Sequence, residues 1–369
     1  MVVTNTWPSS RWDVTDKVFF VSGNIHLDYA AAKRFMPAES SVHQRTLMAW
    51  PTNPSLSPTE LLAARSEVVA IANAISRFEP VTMFASHGHT ADLRSQVTDA
   101  VNISTVPVDD LWIRDSGPVF TFSSDGSVEG VDFGFNYWGN KFPHGEDINL
   151  AQRILALANI PRIVPSIRAE GGALEVDGEG TLLATESSLI NPNRNPGMTK
   201  EDIEDQLKSA LGVDKVIWLK GIKDADCTDC HIDALARFAS PGHIILSRPH
   251  SSRPQVWTEV YEDAKRVLQQ ERDSKGRAFQ LVDIQEPDIE RLKGEDDDMV
   301  ASYANYYLPN GAVIIPQFGD DIADQQSANI FQELFPDRKV VQVRINFLPR
   351  LGGGIHCATQ QQPRIDQIR

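Results

Sequence analysis

Short strand patterns outnumber convincing helices in this chain, and that imbalance narrows the folds open to it. Helical periodicity with clear ends is read five times. The first helix begins at Ser57-Pro58-Thr59-Glu60, a capping box with proline at the first helical position. Leu61, Leu62, Val68, Ala72 and Ile75 then fall on one side, and Pro80 ends the pattern. The other four helices are expected over 147–158, 200–211 (closed by Gly212), 256–271 and 321–335. Strands are expected over 81–85, 128–133, 181–185, 215–219, 243–246, 278–282, 312–315 and 339–345. Strict βαβα alternation would give equal numbers of the two. A repeated unit with two or three strands per helix fits better. No motif recurs in sequence, so such a repeat would be structural only. No low-complexity linker divides the chain. A single α/β domain is therefore expected over 1–369, with 1–35 as an irregular N-terminal extension. The acidic run Glu295-Asp296-Asp297-Asp298 reads as a solvated turn.

Charge narrows the partners. Lys and Arg total 35 against 50 Asp and Glu, a net charge of −15. That balance lacks the basic footprint of a nucleic-acid-binding surface and suits a small cationic ligand. The longest apolar run, 68–75, is interrupted and far below the ~20 residues that span a bilayer. The first residues show no basic segment followed by an apolar one. A cytoplasmic location is expected, or a secreted one if a signal peptide has been removed. Three cysteines exclude a disulfide scaffold. The sequence leaves a homo-oligomer open.

Five segments gather Gly, Trp, Asp, His and Cys outside any amphipathic pattern. Met48-Ala49-Trp50-Pro51 reads, on its own, as core packing. Asp109-Asp110-Leu111-Trp112-Ile113-Arg114-Asp115-Ser116-Gly117-Pro118 sets three acids between turn signals. Glu170-Gly171-Gly172 permits a sharp bend or a close approach by a ligand. Asp226-Cys227-Thr228-Asp229-Cys230-His231-Ile232-Asp233 contains the Cys-x-x-Cys-His pattern of haem attachment, but no secretory signal accompanies it. Zinc would need a second Cys or His pair at finger-like spacing. A Cys227–Cys230 redox pair stays open. If the segment is a strand, His231 and Asp233 point to one face. Gly352-Gly353-Gly354-Ile355-His356-Cys357 puts three glycines before a single cysteine, where unusual backbone angles are expected. Cys, His and several acids form the minimum set for thiol nucleophilic catalysis. The acids exceed what one triad needs, and two carboxylates can each grip the planar fork of a guanidinium.

These segments, with Phe135-Asn136-Tyr137-Trp138-Gly139, Asn193-Arg194-Asn195-Pro196, Pro316-Gln317-Phe318 and Thr359-Gln360-Gln361-Gln362-Pro363, occur in order over residues 36–363. Together they resemble the agmatine deiminase and bacterial-type peptidylarginine deiminase family of guanidino-group-modifying enzymes. The resemblance implies the pentein fold, five ββαβ-type units arranged as a propeller around a central site. It implies Cys357 as the nucleophile and His231 as general acid, then base. It implies Asp115 and Asp233 as guanidinium-binding carboxylates and Glu170 as the acid that orients and charges His231. Trp112, Trp50 and Asn305 are implied on the substrate side. No metal and no organic cofactor is implied.

One stretch departs from the family pattern. Cys227 replaces an acidic position associated with the distal amine of agmatine, and Cys230 replaces a glycine. Asp229 is the expected substitute for the missing charge. The expected reaction is agmatine to N-carbamoylputrescine plus ammonia, through an amidino-cysteine (thiouronium) intermediate. The alternative is peptidylarginine or free arginine to citrulline, with Arg350 as the candidate partner of an α-carboxylate. Amidino transfer to an amine and a catalytically dead binding protein are weaker alternatives.

Overall fold

The computed structural model of the chain describes residues 34–292 and 299–365. The expected N-terminal extension, up to residue 33, and the acidic run 295–298 lie outside the described residues. All described residues fall within one compact unit.

The sequence-expected helices form where their ends were legible. Ser57 Oγ accepts from the Glu60 amide and the Glu60 carboxylate accepts from the Ser57 amide, and the helix runs Pro58–Ile75. Its buried stripe is Ala64, Val68, Ile71, Ala72 and Ile75. Leu62, expected on that face, is 64% exposed. It lies two residues from Ala64, about 200° round the helix, so it cannot share the stripe. Lys200–Leu211 forms with a second capping box at Thr199 and with Gly212 left-handed at φ +68. The helix expected from 147 opens as a 3₁₀ turn, Glu146–Asn149, and continues as Leu150–Ala158. Gln255–Gln270 and Asp321–Leu334 complete the five.

The strand excess resolves into five small sheets built to one plan. In each, an antiparallel pair is followed by a helix and a strand parallel to the second member. Val119–Phe122 pairs antiparallel with Val128–Val131, which pairs parallel with Arg162–Ile163 after the Leu150–Ala158 helix. Glu175–Val176, Thr181–Thr185 and Lys215–Leu219 repeat this around Lys200–Leu211. Ala236–Ser240, His243–Arg248 and Gln280–Gln285 repeat it around Gln255–Gln270. The fourth copy is Ala312–Gln317 parallel to Lys339–Arg344, with Tyr307 bridged antiparallel to Ile314. The fifth joins the two chain ends. His43–Ala49 pairs antiparallel with Gln360–Pro363 and parallel with Val81–Ala85, and Val101–Thr105 extends that sheet. The strand expected over 278–282 lies further on, at Gln280–Gln285, because Ala278 is taken by a bridge to Arg272.

This plan positions the chemistry. Asp115 precedes Val119–Phe122, Glu170 precedes Glu175–Val176, His231 and Asp233 precede Ala236–Ser240, Asn305 precedes the Tyr307 bridge and Cys357 precedes Gln360–Pro363. Every candidate therefore sits in the entry to the first, antiparallel strand of its own unit. Five loops in equivalent places supply one residue set.

Because the Ser57 cap satisfies an amide that the helix cannot, Ser57→Ala should lower unfolding stability by ~1 kcal/mol. Urea denaturation measures this, and an unchanged midpoint would remove the cap from the account of the Pro58–Ile75 helix.

Candidate active site

Gly172 marks where the loops meet. A Cβ built there would stand 2.7 Å from His231 Nδ1, 2.8 Å from Asp115 Oδ1 and 3.0 Å from Asp233 Oδ2. Only a residue without a side chain lets these three groups converge. Gly171 and Gly172 open a 3₁₀ turn right after Glu170, so the Glu-Gly-Gly segment supplies both a carboxylate and the space beside it.

Asp115 lies on the four-residue helix Ile113–Ser116 and is buried. Its Oδ1 accepts from the Gly172 amide at 2.9 Å and its Oδ2 from Trp138 Nε1 at 2.9 Å. Both donors are neutral. Burial pushes its pKa up, as do Asp233 and Glu170, against the pull of His231 and Trp138. Trp138 reaches Asp115 from a run of left-handed backbone, Tyr137 (φ +55), Trp138 (φ +52), Gly139 (φ +84) and Asn140 (φ +62). Non-glycine residues adopt such angles at a cost of roughly 1–3 kcal/mol each, which marks the segment as held by its surroundings.

His231 and Asp233 are not neighbours on a strand. His231 (φ −59, ψ 144) caps the short helix Ile232–Leu235, and Asp233 lies in its first turn. The two side chains still converge, through the helix entry rather than through strand alternation. His231 Nε2 stands 3.4 Å from Glu170 Oε2 and Nδ1 stands 3.8 Å from Asp115 Oδ2. Neither ring nitrogen has an ordinary hydrogen bond among the described residues. Burial disfavours its cation, but Asp115, Glu170 and Asp233 outweigh burial and raise its pKa to about 9.

The nucleophile candidate is held from two sides. Cys357 Sγ lies 3.2 Å from Asn305 Nδ2 and 3.6 Å from Asp233 Oδ2. Burial raises its thiol pKa well above the ordinary range, and Asp233 and Asp115 push the same way. The three glycines before it act mainly by lack of bulk. Only Gly352 is left-handed (φ +94). A Cβ on Gly353 would run into the Trp112 ring, and one on Gly354 would stand 2.6 Å from Asn305 Oδ1.

A layer of fixed charges backs the inner groups, and most of it was not foreseen. Arg194 is fully buried; its Nε donates to Glu170 Oε1 (2.7 Å) and its Nη1 to Asp229 Oδ2 (2.7 Å). Arg194 with His231 holds the Glu170 pKa down despite burial. Asp229, expected on the substrate side, is not on the cavity wall. Lys141 Nζ (2.7 Å) and the Asp224 amide (2.9 Å) take its other oxygen, and its pKa falls to about 2. On the other flank, His356 bridges two carboxylates, with Nδ1 2.7 Å from Asp233 Oδ2 and Nε2 2.8 Å from Glu39 Oε2. Glu39 also pairs with Arg114 (3.2 Å) and Arg237 (3.1 Å). A neutral imidazole has one N–H, so this chain of acid, ring and acid must hold one further proton. Trp138, Arg194 and His356 stood in quoted motifs without a role. Glu39 carried no local signal.

A cavity of about 330 Å³ reaches this set, with Cys357 and Asp115 on its wall; Glu170, His231, Asp233 and Asn305 are not among its lining residues. Trp112, Tyr137, Trp138 and Phe142 line it, together with Asp109, Asp110, Asp147 and Cys227. Among the described residues no Lys or Arg lines it, Arg350 included. Burial, with Asp110 and Asp109 nearby, lifts Asp147 to about 8, and burial with Asp226 lifts Cys227 to about 12. Trp50 does not reach the cavity. It is fully buried in the largest core cluster, with the Arg65 guanidinium 4.8 Å from its ring centroid. Cys230 takes a left-handed angle (φ +67), the conformation that favours the glycine it replaces. All three cysteines are free. Among the described residues no group of three or more His, Cys, Asp or Glu is arranged to hold a metal, and no helix is long and apolar enough to cross a membrane.

Known proteins resemble this chain in sequence and fold. The Porphyromonas-type peptidyl-arginine deiminase family matches residues 35–363. An agmatine deiminase of Pseudomonas aeruginosa is 36% identical over 359 residues, covering 89% of this chain and 95% of that protein. The agmatine deiminase of Stutzerimonas stutzeri is 36% identical over 352 residues, with 89% and 95% covered. The solved structure of Enterococcus faecalis agmatine deiminase superposes with a TM-score of 0.82 at 32% identity, over 90% of this chain and 96% of that one.

The charge on His231 has a definite pH signature. Its folded pKa near 9 lies above its ordinary 6.5. Its contribution to stability is thus complete below about 6.5 and is lost as pH rises through about 9. A step that needs the imidazolium should lose rate on an alkaline limb near 9. Removing the Glu170 charge should move that limb down by roughly one unit or more. A kcat/KM profile of Glu170→Gln tests this, and an unmoved limb would detach Glu170 from His231.

Proposed function

Because the chain belongs to the Porphyromonas-type peptidyl-arginine deiminase family, we propose that it hydrolyses the guanidinium group of agmatine to N-carbamoylputrescine and ammonia. The observation that carries this is the composition of the cavity wall. It presents two thiols and four carboxyl groups, with no Lys or Arg among the described residues to meet an α-carboxylate. A guanidine with a cationic or neutral tail suits such a wall better than free arginine does.

Asp115 and Asp233 grip the guanidinium, each through carboxylate oxygens. Trp112 walls the alkyl chain, and Asn305 holds the Cys357 sulfur in place. Binding changes the electrostatics that the empty site sets up. The substrate's fixed positive charge offsets Asp115 and Asp233, the carboxylates that add to burial in holding the thiol protonated and that keep the imidazole charged. Both pKa values then fall, which makes thiolate and a mobile imidazolium proton available together.

The chemistry follows in two steps. The sulfur bonds to the guanidinium carbon, His231 protonates a departing nitrogen, and the C–N bond breaks. The thiol proton passes to solvent as the guanidinium binds, the proton carried by His231 ends on ammonia, and a thiouronium remains on Cys357. Water then adds to the same carbon, His231 takes one of its protons, and the C–S bond breaks as the other passes to the departing sulfur, leaving a urea and the Cys357 thiol. Glu170, charged and fixed by Arg194, keeps His231 oriented through both steps. One histidine serves both halves because the second step returns the proton that the first removed. The described residues act as one catalytic unit, and the chemistry calls for neither metal nor organic cofactor. The acidic net charge fits a cytoplasmic enzyme of small cations, with no nucleic-acid or membrane partner.

Ureido product and ammonia should form from agmatine and, at least about 100-fold less, from free arginine. Assays of agmatine, arginine and a terminally blocked arginyl peptide decide this, with Cys357→Ala as the inactive reference. Preferred turnover of the peptide would replace the agmatine assignment with peptidylarginine.

A further inference from the structure

The cavity that reaches Cys357 does not include His231 in its wall. His231 instead lines a second, smaller cavity of about 50 Å³ that shares no lining residue with the first. This second space runs from half-buried Trp257 and Val300 inward to buried Ser302, Ser247 and Glu286. Ser302 Oγ donates to Ser247 Oγ at 2.9 Å, and Ser247 Oγ donates to Glu286 Oε1 at 2.8 Å. Glu286 is 9% exposed, and its Oε2 has no hydrogen-bond partner among the described residues. The Arg253 Nε stands 3.5 Å away. A buried carboxylate oxygen that has an ion-pair neighbour but no hydrogen bond, beside two serine hydroxyls in a space otherwise mostly apolar, is a place for water.

We propose that this second cavity is a passage by which water reaches His231 and ammonia leaves it, separate from the cavity that admits the guanidine. The inference rests on the hydrolytic reading above. During the reaction the alkyl chain of the thiouronium still occupies the larger cavity. Ammonia must leave the vicinity of His231 and water must arrive there before the C–S bond can break. Both molecules are neutral and small enough for a space of about 50 Å³, and an alkylguanidine is not. Serine hydroxyls and the Glu286 carboxylate provide the hydrogen bonds that each would give up on leaving bulk water.

Two plugs test the passage: Val300→Phe at its half-buried mouth and Ala301→Leu deeper in. Both side chains are aliphatic and carry no group that could take part in the chemistry. The expected result with agmatine is a fall in kcat of about tenfold. Alkylation of Cys357 by chloroacetamidine, in which the sulfur displaces chloride and no water is consumed, should stay within about twofold of the parent. Because it probes the nucleophile and the guanidinium grip through the larger cavity, a distorted site would slow it as well. A kcat within about twofold of the parent in both folded variants overturns the proposal. So does alkylation that falls in step with kcat. Failure of the hydrolytic reading shows separately, as absence of ureido product from the unmodified enzyme.

Discussion

The whole site depends on carboxylates whose charge the protein compensates only in part. Asp115 meets two neutral donors, the Gly172 amide and the Trp138 indole. Asp233 meets a histidine. No arginine or lysine touches either group at ion-pair distance among the described residues. Burial makes such an arrangement costly, and the cost appears as a raised His231 pKa and a thiol held protonated. A guanidinium that brings its own fixed charge relieves both. The site is therefore assembled for a cation before any cation arrives.

What keeps those carboxylates from pairing internally is a segregation of permanent charge. Arg194 is spent on Glu170 and Asp229, Lys141 on Asp229, and Arg114 and Arg237 on Glu39. Each arginine is locked by a carboxylate of the backing layer and cannot swing inward. The five-unit plan makes this layering practicable. Each unit contributes a loop at the start of its antiparallel strand, so the inner groups come from different units and the backing groups brace neighbouring loops. Asp229 illustrates the point. Its left-handed backbone (φ +64) aims it away from the substrate and onto Arg194.

How much of this was legible in the sequence follows from range. Capping residues act on amides three positions away, so the Ser57 and Thr199 boxes and the Gly212 terminus were visible in the string. The inner residues were visible because Gly-Gly, Gly-Gly-Gly and Asp-Ser-Gly segments are out of place in ordinary elements, and because their order resembles a known family. The backing layer was not legible. Glu39 finds His356, Arg114 and Arg237 across 317, 75 and 198 positions, and no local pattern announces such pairs. The same limit misplaced Trp50 and Asp229. Each occurs beside residues that line the site, but one is directed into the core and the other into an ion pair. For His231 and Asp233 the strand premise does not hold. A capped helical turn gives the convergence that a strand would also have given.

In the reaction proposed above, the partial compensation also accounts for release. A guanidinium enters with a charge that two carboxylates can hold, and a urea leaves without one. Once the C–S bond breaks, the attraction that drew the substrate in no longer exists. Asp115 and Asp233 regain their uncompensated charge, His231 regains its support as a cation and Cys357 returns to the thiol. Product departure and resetting of both titratable groups are then one electrostatic event. An arginine placed against Asp115 to stabilise the free enzyme would satisfy the fold and abolish that cycle, because the site would no longer distinguish substrate from product by charge.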